Sequence, residues 1–389
     1  MGGTDGGPIR VMVVDDSAVI RGLVSRWLDA EPDFKVVITA PNGAQALRLA
    51  QKADPEVIVL DIEMPEMDGI TALPELLKLV RGVRVLMSST LTRSGAEISM
   101  KALTLGAADY LTKPSSTREA NAVDAFREEL IAKARALGEA ARRRAGFARP
   151  APLAPVSAPT PAAASAVTAP ARKPSTLYGG AQVVTRPSGT LRPQVLAIGS
   201  STGGPQALST LLAKLAPRVD VPILITQHMP ATFTAILAEH LAKATGVPAA
   251  EGRDGETVQP RRIYVAPGGH HMTVERQGVS RVIRLNTDPP ENFCRPAVDP
   301  MLRSVAAAYG GAALVVILTG MGQDGMQGSR SVTEAGGTIL AQDEASSVVW
   351  GMPGAVATAG LCSAVLPLTE LPAAVERLLK GPALVGVRS

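Results

Sequence analysis

Short β-branched runs alternate with stretches of helical periodicity along most of this chain, and each run ends abruptly at polar or glycine residues. Ile9-Arg-Val-Met-Val-Val14 stops at Asp15-Asp16-Ser17, and Ile20, Leu23, Val24, Trp27 and Leu28 then recur at helical spacing. Phe34-Lys-Val-Val-Ile-Thr39 leads to a helix beginning near Asn42-Gly43. Glu56-Val-Ile-Val-Leu60 ends at Asp61, Val83-Arg-Val-Leu-Met87 at Ser88-Ser89, and Ala108-Asp-Tyr-Leu111 at Thr112-Lys113-Pro114. A long helix over roughly 118–144 closes the series. Alternation of this kind builds a parallel, doubly wound sheet with helices on both faces. The pattern then stops, and seven prolines fall between Pro150 and Pro174 among Ala, Ser and Thr. Such a stretch buries too little apolar surface to offset its ordering entropy, and its prolines favour an extended chain. From Gln194 the alternation resumes. The expected organisation is a first α/β domain over 1–146, a Pro/Ala-rich linker over 147–190, and a second doubly wound, mainly parallel α/β domain over 191–389.

In an open parallel sheet, functional groups gather beyond the carboxyl ends of the strands. In the first domain those ends carry Asp15 and Asp16, then Asp61, then Ser89, then Lys113. Any one of the aspartates could simply cap the helix that follows it. All five residues at successive strand ends make an oxygen-lined site for a hard divalent ion, Mg²⁺ above all. Lys113 can offset the charge of a transferred phosphoryl group, and Asp61 can accept one. Asp15-Asp16-Ser17, Asp61 with Met64-Pro-Glu-Met-Asp-Gly69, Ser89 and Lys113-Pro114 resemble the receiver domain of two-component response regulators, over about residues 8–140. That resemblance implies a flavodoxin-like, five-stranded sheet and a phosphoryl group passed to Asp61 from a histidine kinase. It further implies Mg²⁺ held by Asp15, Asp16, Asp61 and the backbone carbonyl of Glu63, with Ser89 and Tyr110 as switch residues beside Lys113.

The second half turns on Val195-Leu-Ala-Ile-Gly-Ser-Ser-Thr-Gly-Gly204, a strand, a tight turn and a helix start. Gly199-Ser-Ser-Thr-Gly203 fits G-x-S-x-G with Ser201 at its centre, where a hydroxyl is exposed beside the free N–H groups of a helix N-terminus. A serine needs a base to take its proton and donors to receive the oxyanion. Strand Val221-Pro-Ile-Leu-Ile-Thr226 ends at Gln227-His228, and Ala312-Ala-Leu-Val-Val-Ile-Leu-Thr319 leads to Gly320-Met-Gly-Gln-Asp-Gly325. Ser201, His228 and Asp324 therefore fall on one rim as nucleophile, base and orienting carboxylate. Ser200 competes as nucleophile, and His270 and His271, which follow Gly-Gly at another strand end, compete as base. His240, on a helix expected to be exposed, has no expected role. The glycine turn lacks both the P-loop lysine and the G-x-G-x-x-G spacing, which ranks a phosphate cradle low.

Gly199-Ser-Ser-Thr-Gly-Gly204, Gln227-His-Met-Pro230, Ala266-Pro-Gly268, Arg295-Pro-Ala-Val-Asp299 and Leu318-Thr-Gly-Met-Gly-Gln-Asp-Gly325 look like the catalytic domain of the chemotaxis methylesterases. Ser200 stands where alanine is frequent in that family. The resemblance places Ser201, His228 and Asp324 on the family's triad, with Thr202 and Met321 beside them; for these two we expect substrate or oxyanion contacts, the Met321 backbone N–H serving as an oxyanion donor. It implies hydrolysis of glutamate γ-methyl esters to methanol and deamidation of glutamines on the cytoplasmic helices of chemoreceptors, activated by phosphorylation and needing no cofactor for hydrolysis. An idle adaptor domain, or service to a pathway other than motility, would carry the same residues.

Composition narrows the rest. A net charge of +4 over 389 residues is mild, and the main basic cluster, Arg142-Arg-Arg144, sits where cations favour a helix end. With no helix-turn-helix after the linker, nucleic acid is not an expected partner. Two cysteines without metal-ligand spacing, no apolar run of membrane-spanning length and no signal-peptide core lead us to expect a cytoplasmic protein without membrane insertion.

Overall fold

The structure is a computed structural model, and it describes residues 7–114, 120–147 and 183–381. The proline-rich core of the expected linker lies outside the described residues. In the first domain the strands are β1 (Ile9–Val14), β2 (Phe34–Ala40), β3 (Val57–Asp61), β4 (Arg84–Thr90) and β5 (Asp109–Lys113). The helices are α1 (Ala18–Asp29), α2 (Gly43–Ala53), α3 (Gly69–Leu79), α4 (Arg93–Leu105) and α5 (Ala120–Phe147). All strand pairs are parallel, in the order β2-β1-β3-β4-β5. This is the flavodoxin-like winding, and its switch point lies between β1 and β3. β3 is buried along its whole length, as its unbroken apolar run requires of a strand covered on both faces. Helix starts are set locally: the side chains of Ser17, Asn42, Asp68 and Thr92 accept the N–H groups of Ile20, Gln45, Thr71 and Gly95.

The second domain opens with β6 (Val195–Ser200), α6 (Gly204–Leu215), β7 (Ile223–Gln227), α7 (Ala231–Thr245), β8 (Ala249–Glu251) and β9 (Ile263–Val265). A separate antiparallel hairpin follows, β10 (His271–Gln277) and β11 (Ser280–Asn286). Then come α8 (Val298–Tyr309), β12 (Ala313–Ile317), α9 (Met326–Glu334), β13 (Thr338–Gln342), α10 (Met352–Thr358), β14 (Ala364–Leu366) and α11 (Leu371–Lys380). Seven strands form one parallel sheet, ordered β14-β13-β12-β6-β7-β9-β8. The winding reverses between β6 and β12, so the crevice beyond these two strands is where a ligand site is expected.

The two domains are packed together. One apolar core runs from Leu76, Met100 and Leu103 of the first domain to Leu208, Phe233 and Leu237 of the second. Tyr110 stacks on Phe233 with ring centroids 4.4 Å apart and planes 4° from parallel, a contact contributing about 0.5–1.5 kcal/mol beyond its buried area. Arg93 pairs with Glu239 at 3.0 Å, and the Gln206 amide donates to the Leu103 carbonyl.

Three expectations are corrected here. Arg142 and Arg143 are not a solvated helix end: Arg142 forks onto Glu56 at 2.6 and 2.9 Å, and Arg143 reaches Glu344 in the second domain at 3.5 Å. His240 does not lie on an exposed face; it is half-buried and lines, with Met100, Leu103 and Gln206, a cavity of about 290 Å³ along the domain seam. Residues 183–190 lie on the second sheet, where Arg186 N donates to the Cys362 carbonyl and Gly189 N to Thr338 Oγ1. Proline-rich composition marks a stretch poor in helix and strand, and these residues stay free of both while docking through single backbone hydrogen bonds.

Candidate functional site

At the switch point of the first sheet, β1 and β3 end side by side and deliver Asp15, Asp16 and Asp61 to one spot. One oxygen from each lies within 4.8 Å of the others. Lys113, at the end of β5, puts its ammonium 2.8 Å from both Asp15 and Asp61. Burial raises the Asp61 pKa to about 6; Lys113 opposes that rise and the Asp15 carboxylate adds to it. Three crowded carboxylates with one ammonium leave uncompensated negative charge, and a hard dication with oxygen preference fits that donor set. Close packing holds the site: a Cβ on Gly69 would sit 2.0 Å from the Asp61 carbonyl oxygen, so only glycine lets α3 begin there. Ser89 is not turned toward Asp61; its hydroxyl donates to the carbonyl of Gly95 at 3.1 Å. The sign of the Asp61 shift sets a pH effect on stability. Below about pH 4 both folded and unfolded chains hold the proton, and between the ordinary value and about 6 only the unfolded chain releases it. Stability should fall as pH rises through that window, and Asp61→Asn should be more stable than the parent at pH 7 by about 3 kcal/mol. Denaturant melts of both proteins at pH 4 and 7 check this.

At the switch point of the second sheet, the β6–α6 turn carries Ser201 past the strand end. The turn needs two glycines: Gly203 has φ of 76°, and a Cβ on Gly204 would fall 2.0 Å from Gln227 Oε1. The choice between the neighbouring serines follows from their surroundings. Ser200 is fully buried and donates to Gln227 Oε1 at 2.7 Å, whereas Ser201 is half-buried and its hydroxyl meets no hydrogen-bond partner among the described residues. Gln227 also donates to the Ser201 and His228 carbonyls, which clamps the two strand ends together.

His228 Nε2 meets Asp324 Oδ2 at 2.7 Å. The competing histidines are occupied or remote. His271 is buried, its Nδ1 accepting Ala297 N–H and its Nε2 facing the Pro289 carbonyl, and His270 is exposed. Asp324 is 1% exposed and accepts from five donors: His228, Val298 N, Asp299 N, Gly325 N and Asn292 Nδ2. Burial alone would raise its pKa, but the donors and the His228 charge hold it below the usual carboxylate range. Asp299 carries the opposite shift, pushed up to about 6 by burial and by Asp324, although Gly328 N–H counters it. Residues the sequence reading left without a role therefore complete this centre: Gln227, Asn292, Asp299 and Cys294. Asp299 ends the Arg295-Pro-Ala-Val-Asp299 stretch, and its place three residues after a proline at a helix start is the signal the sequence offers for it.

Cys294 Sγ lies 3.3 Å from His228 Nδ1, so both ring nitrogens are engaged and neither faces Ser201. Burial disfavours the charged ring, but Cys294 and Asp324 outweigh it and raise the ring's proton affinity. Thr202 is also occupied: its Oγ1 donates to Asp109 Oδ2 of the first domain at 2.7 Å, and Asp109 pairs with partly buried Lys133 at 3.3 Å. Met321 packs with Val348 and Val349 against the apolar core of the first domain, and its N–H finds no acceptor among the described residues. Removing the sulfur should lower the His228 pKa. NMR titration of Cys294→Ala should show the ring losing its proton at lower pH than in the parent, and an unchanged titration would mean that Asp324 alone sets it.

Among the described residues no helix is long and apolar enough to cross a membrane. Two family descriptions match the chain: response regulator receiver domain over residues 11–123 and CheB methylesterase over residues 196–375. The protein-glutamate methylesterase/protein-glutamine glutaminase of group 2 operon from Bradyrhizobium diazoefficiens is 57% identical over 97% of this chain and 96% of its own. Its namesake numbered 1 from Paramagnetospirillum magneticum is 56% identical over 93% and 94%. The crystal structure of the Thermotoga maritima CheB methylesterase catalytic domain is 38% identical and covers 48% of this chain and 98% of its own, with a TM-score of 0.47. Identity at this level over nearly the whole length, with a receiver domain followed by a methylesterase domain, makes the chain a member of the CheB methylesterase family.

Proposed function

We propose that this chain is a phosphorylation-activated hydrolase that cleaves glutamate γ-methyl esters on chemoreceptors, releasing methanol, and deamidates glutamines at the same γ-carbonyl. The observation that carries the reading is the short His228–Asp324 pair at the sheet's switch point, next to a Ser201 hydroxyl with no partner among the described residues. Once the ring has left Cys294, which helps to hold it protonated, neutral His228 accepts the proton of Ser201 Oγ as that oxygen attacks the γ-carbonyl. His228 then returns that proton to the departing methanol or ammonia, leaving an acyl-enzyme, and a water deprotonated by His228 cleaves it. Asp324 keeps the ring oriented and stabilises its charge. Since Nε2 faces Asp324, Nδ1 is the nitrogen for the Ser201 proton, and the ring must exchange Cys294 for Ser201 on activation. The Met321 N–H is the proposed oxyanion donor. A glutamine and a glutamyl methyl ester present the same acyl group, which explains two activities at one centre.

Control is read from β5. Its last residue, Lys113, touches the Asp61 site, while its first two, Asp109 and Tyr110, hold Thr202 and Phe233 of the second domain. Phosphorylation of Asp61 by a histidine kinase draws Lys113 and Ser89 toward the phosphoryl oxygens and shifts β5, which releases Thr202 and opens the crevice. Asp15, Asp16, Asp61 and the Glu63 carbonyl would hold Mg²⁺, which when bound supplies charge neutralisation for phosphoryl transfer. The setting is the cytoplasm, where receptor helices and kinase are met.

Methanol release from methylated receptor cytoplasmic fragments tests the reading. Phosphodonor with Mg²⁺ should raise release by the parent protein, and Ser201→Ala should lose about 10⁴-fold or more. Asp109→Ala should raise the unphosphorylated rate about tenfold, as expected for losing a hydrogen bond to a charged group. Absence of methanol from every fragment with the activated parent would remove the substrate assignment, and an Asp109→Ala rate equal to the parent's would remove the latch.

A further inference from the structure

Between β11 and α8 the chain makes a tight turn whose tip is Asn292 and Phe293. Glu291 and Cys294 close it by exchanging backbone hydrogen bonds at 3.1 and 2.9 Å, and Arg303 of α8 anchors its base through Glu291. Both tip residues have positive φ, 51° and 63°. A turn of this hand suits Asn followed by Gly; here the second position carries phenylalanine, for which the left-handed region is costly. The ring gains nothing inside the protein to offset that cost, since Phe293 is 103% exposed. Its neighbours are both committed to the catalytic centre. Asn292 donates to Asp324 and Asp299 at 3.2 Å, and Cys294 meets His228. Phe293 is thus a bare aromatic ring carried on an anchored turn at the rim, one residue from a partner of Asp324 and one from a partner of His228.

A strained, exposed aromatic beside a reactive centre is best explained by what it meets from outside. We propose that Phe293 is a substrate-docking residue, packing on an apolar side chain next to the modified glutamate of the protein substrate and so setting affinity for polypeptide rather than the rate of the chemical step. The inference rests on the protein-glutamate substrate proposed above. The docked first domain leaves the ring free, so a polypeptide can meet it before the crevice opens.

The test compares parent, Phe293→Ala, Phe293→Gly and Phe293→Leu, as full-length proteins with phosphodonor and Mg²⁺, on a methylated receptor fragment and on a small γ-methyl glutamate ester. For the fragment, KM should rise about tenfold in the Ala and Gly variants, as expected for losing one buried aromatic contact, with kcat within twofold, and Leu should restore part of the loss. For the small ester, kcat/KM should stay within about twofold of the parent, because the ring lies outside the reach of a single residue. Phe293→Gly should melt no lower than the parent, since glycine adopts this backbone freely. An equal loss on both substrates would make Phe293 part of the catalytic framework, and no loss on the fragment would mean the ring touches no substrate; either overturns the proposal. If the parent itself fails on the fragment while cleaving the small ester, the substrate reading fails and this inference falls with it.

Discussion

A carboxylate removed almost wholly from water stays charged only if the chain surrounds it with donors, and Asp324 imposes that requirement on the whole second domain. Its five donors come from four places: the end of β7, the 291–294 turn, the first residues of α8, and its own following residue. Losing any one leaves part of a buried charge unsatisfied, which costs more than the bond itself is worth in water. The parallel order of β7, β6 and β12 exists, in this sense, to bring those segments within reach of one oxygen pair. Asp299, beside it, takes the opposite charge preference, first because it is itself removed from water and then because the neighbouring Asp324 charge resists a second ionisation.

Both sheets place their chemistry at a switch point, yet they differ in how that chemistry is filled. In the first, opposite charges meet directly through Lys113. In the second, the groups around the unpartnered Ser201 hydroxyl are engaged elsewhere: Thr202 is held by Asp109, His228 is turned to Cys294, and the Met321 side chain packs in the apolar seam. A single short strand, β5, spans the distance between the two arrangements.

Much of this was legible in the residues. Unbroken apolar runs that stop at aspartate, serine or lysine announced parallel strands and the contents of their ends, because burial on both faces permits no alternation. Ser201 could be singled out by its turn, although only packing separates it from Ser200, which Gln227 holds from across the sheet. Asn292, Cys294 and Phe293 were not legible: their turn has left-handed backbone without glycine, and Asn292 and Cys294 find Asp324 and His228 32 and 66 positions away in the chain. Asp109 was read as an ordinary strand residue. A charged residue inside a buried strand was the available clue, and its partner Thr202 is 93 positions distant.

The latch on Thr202 has a property that follows from where its charges sit. Asp109 is buried and the Lys133 side chain is only 14% exposed, so mobile ions screen this pair weakly. The Arg93–Glu239 bridge at the outer edge of the same seam is open to solvent and is screened within a Debye length. Rising ionic strength therefore loosens the rim of the domain contact while sparing its centre, and the resting grip on the serine turn is insulated from the salt content of the surrounding fluid.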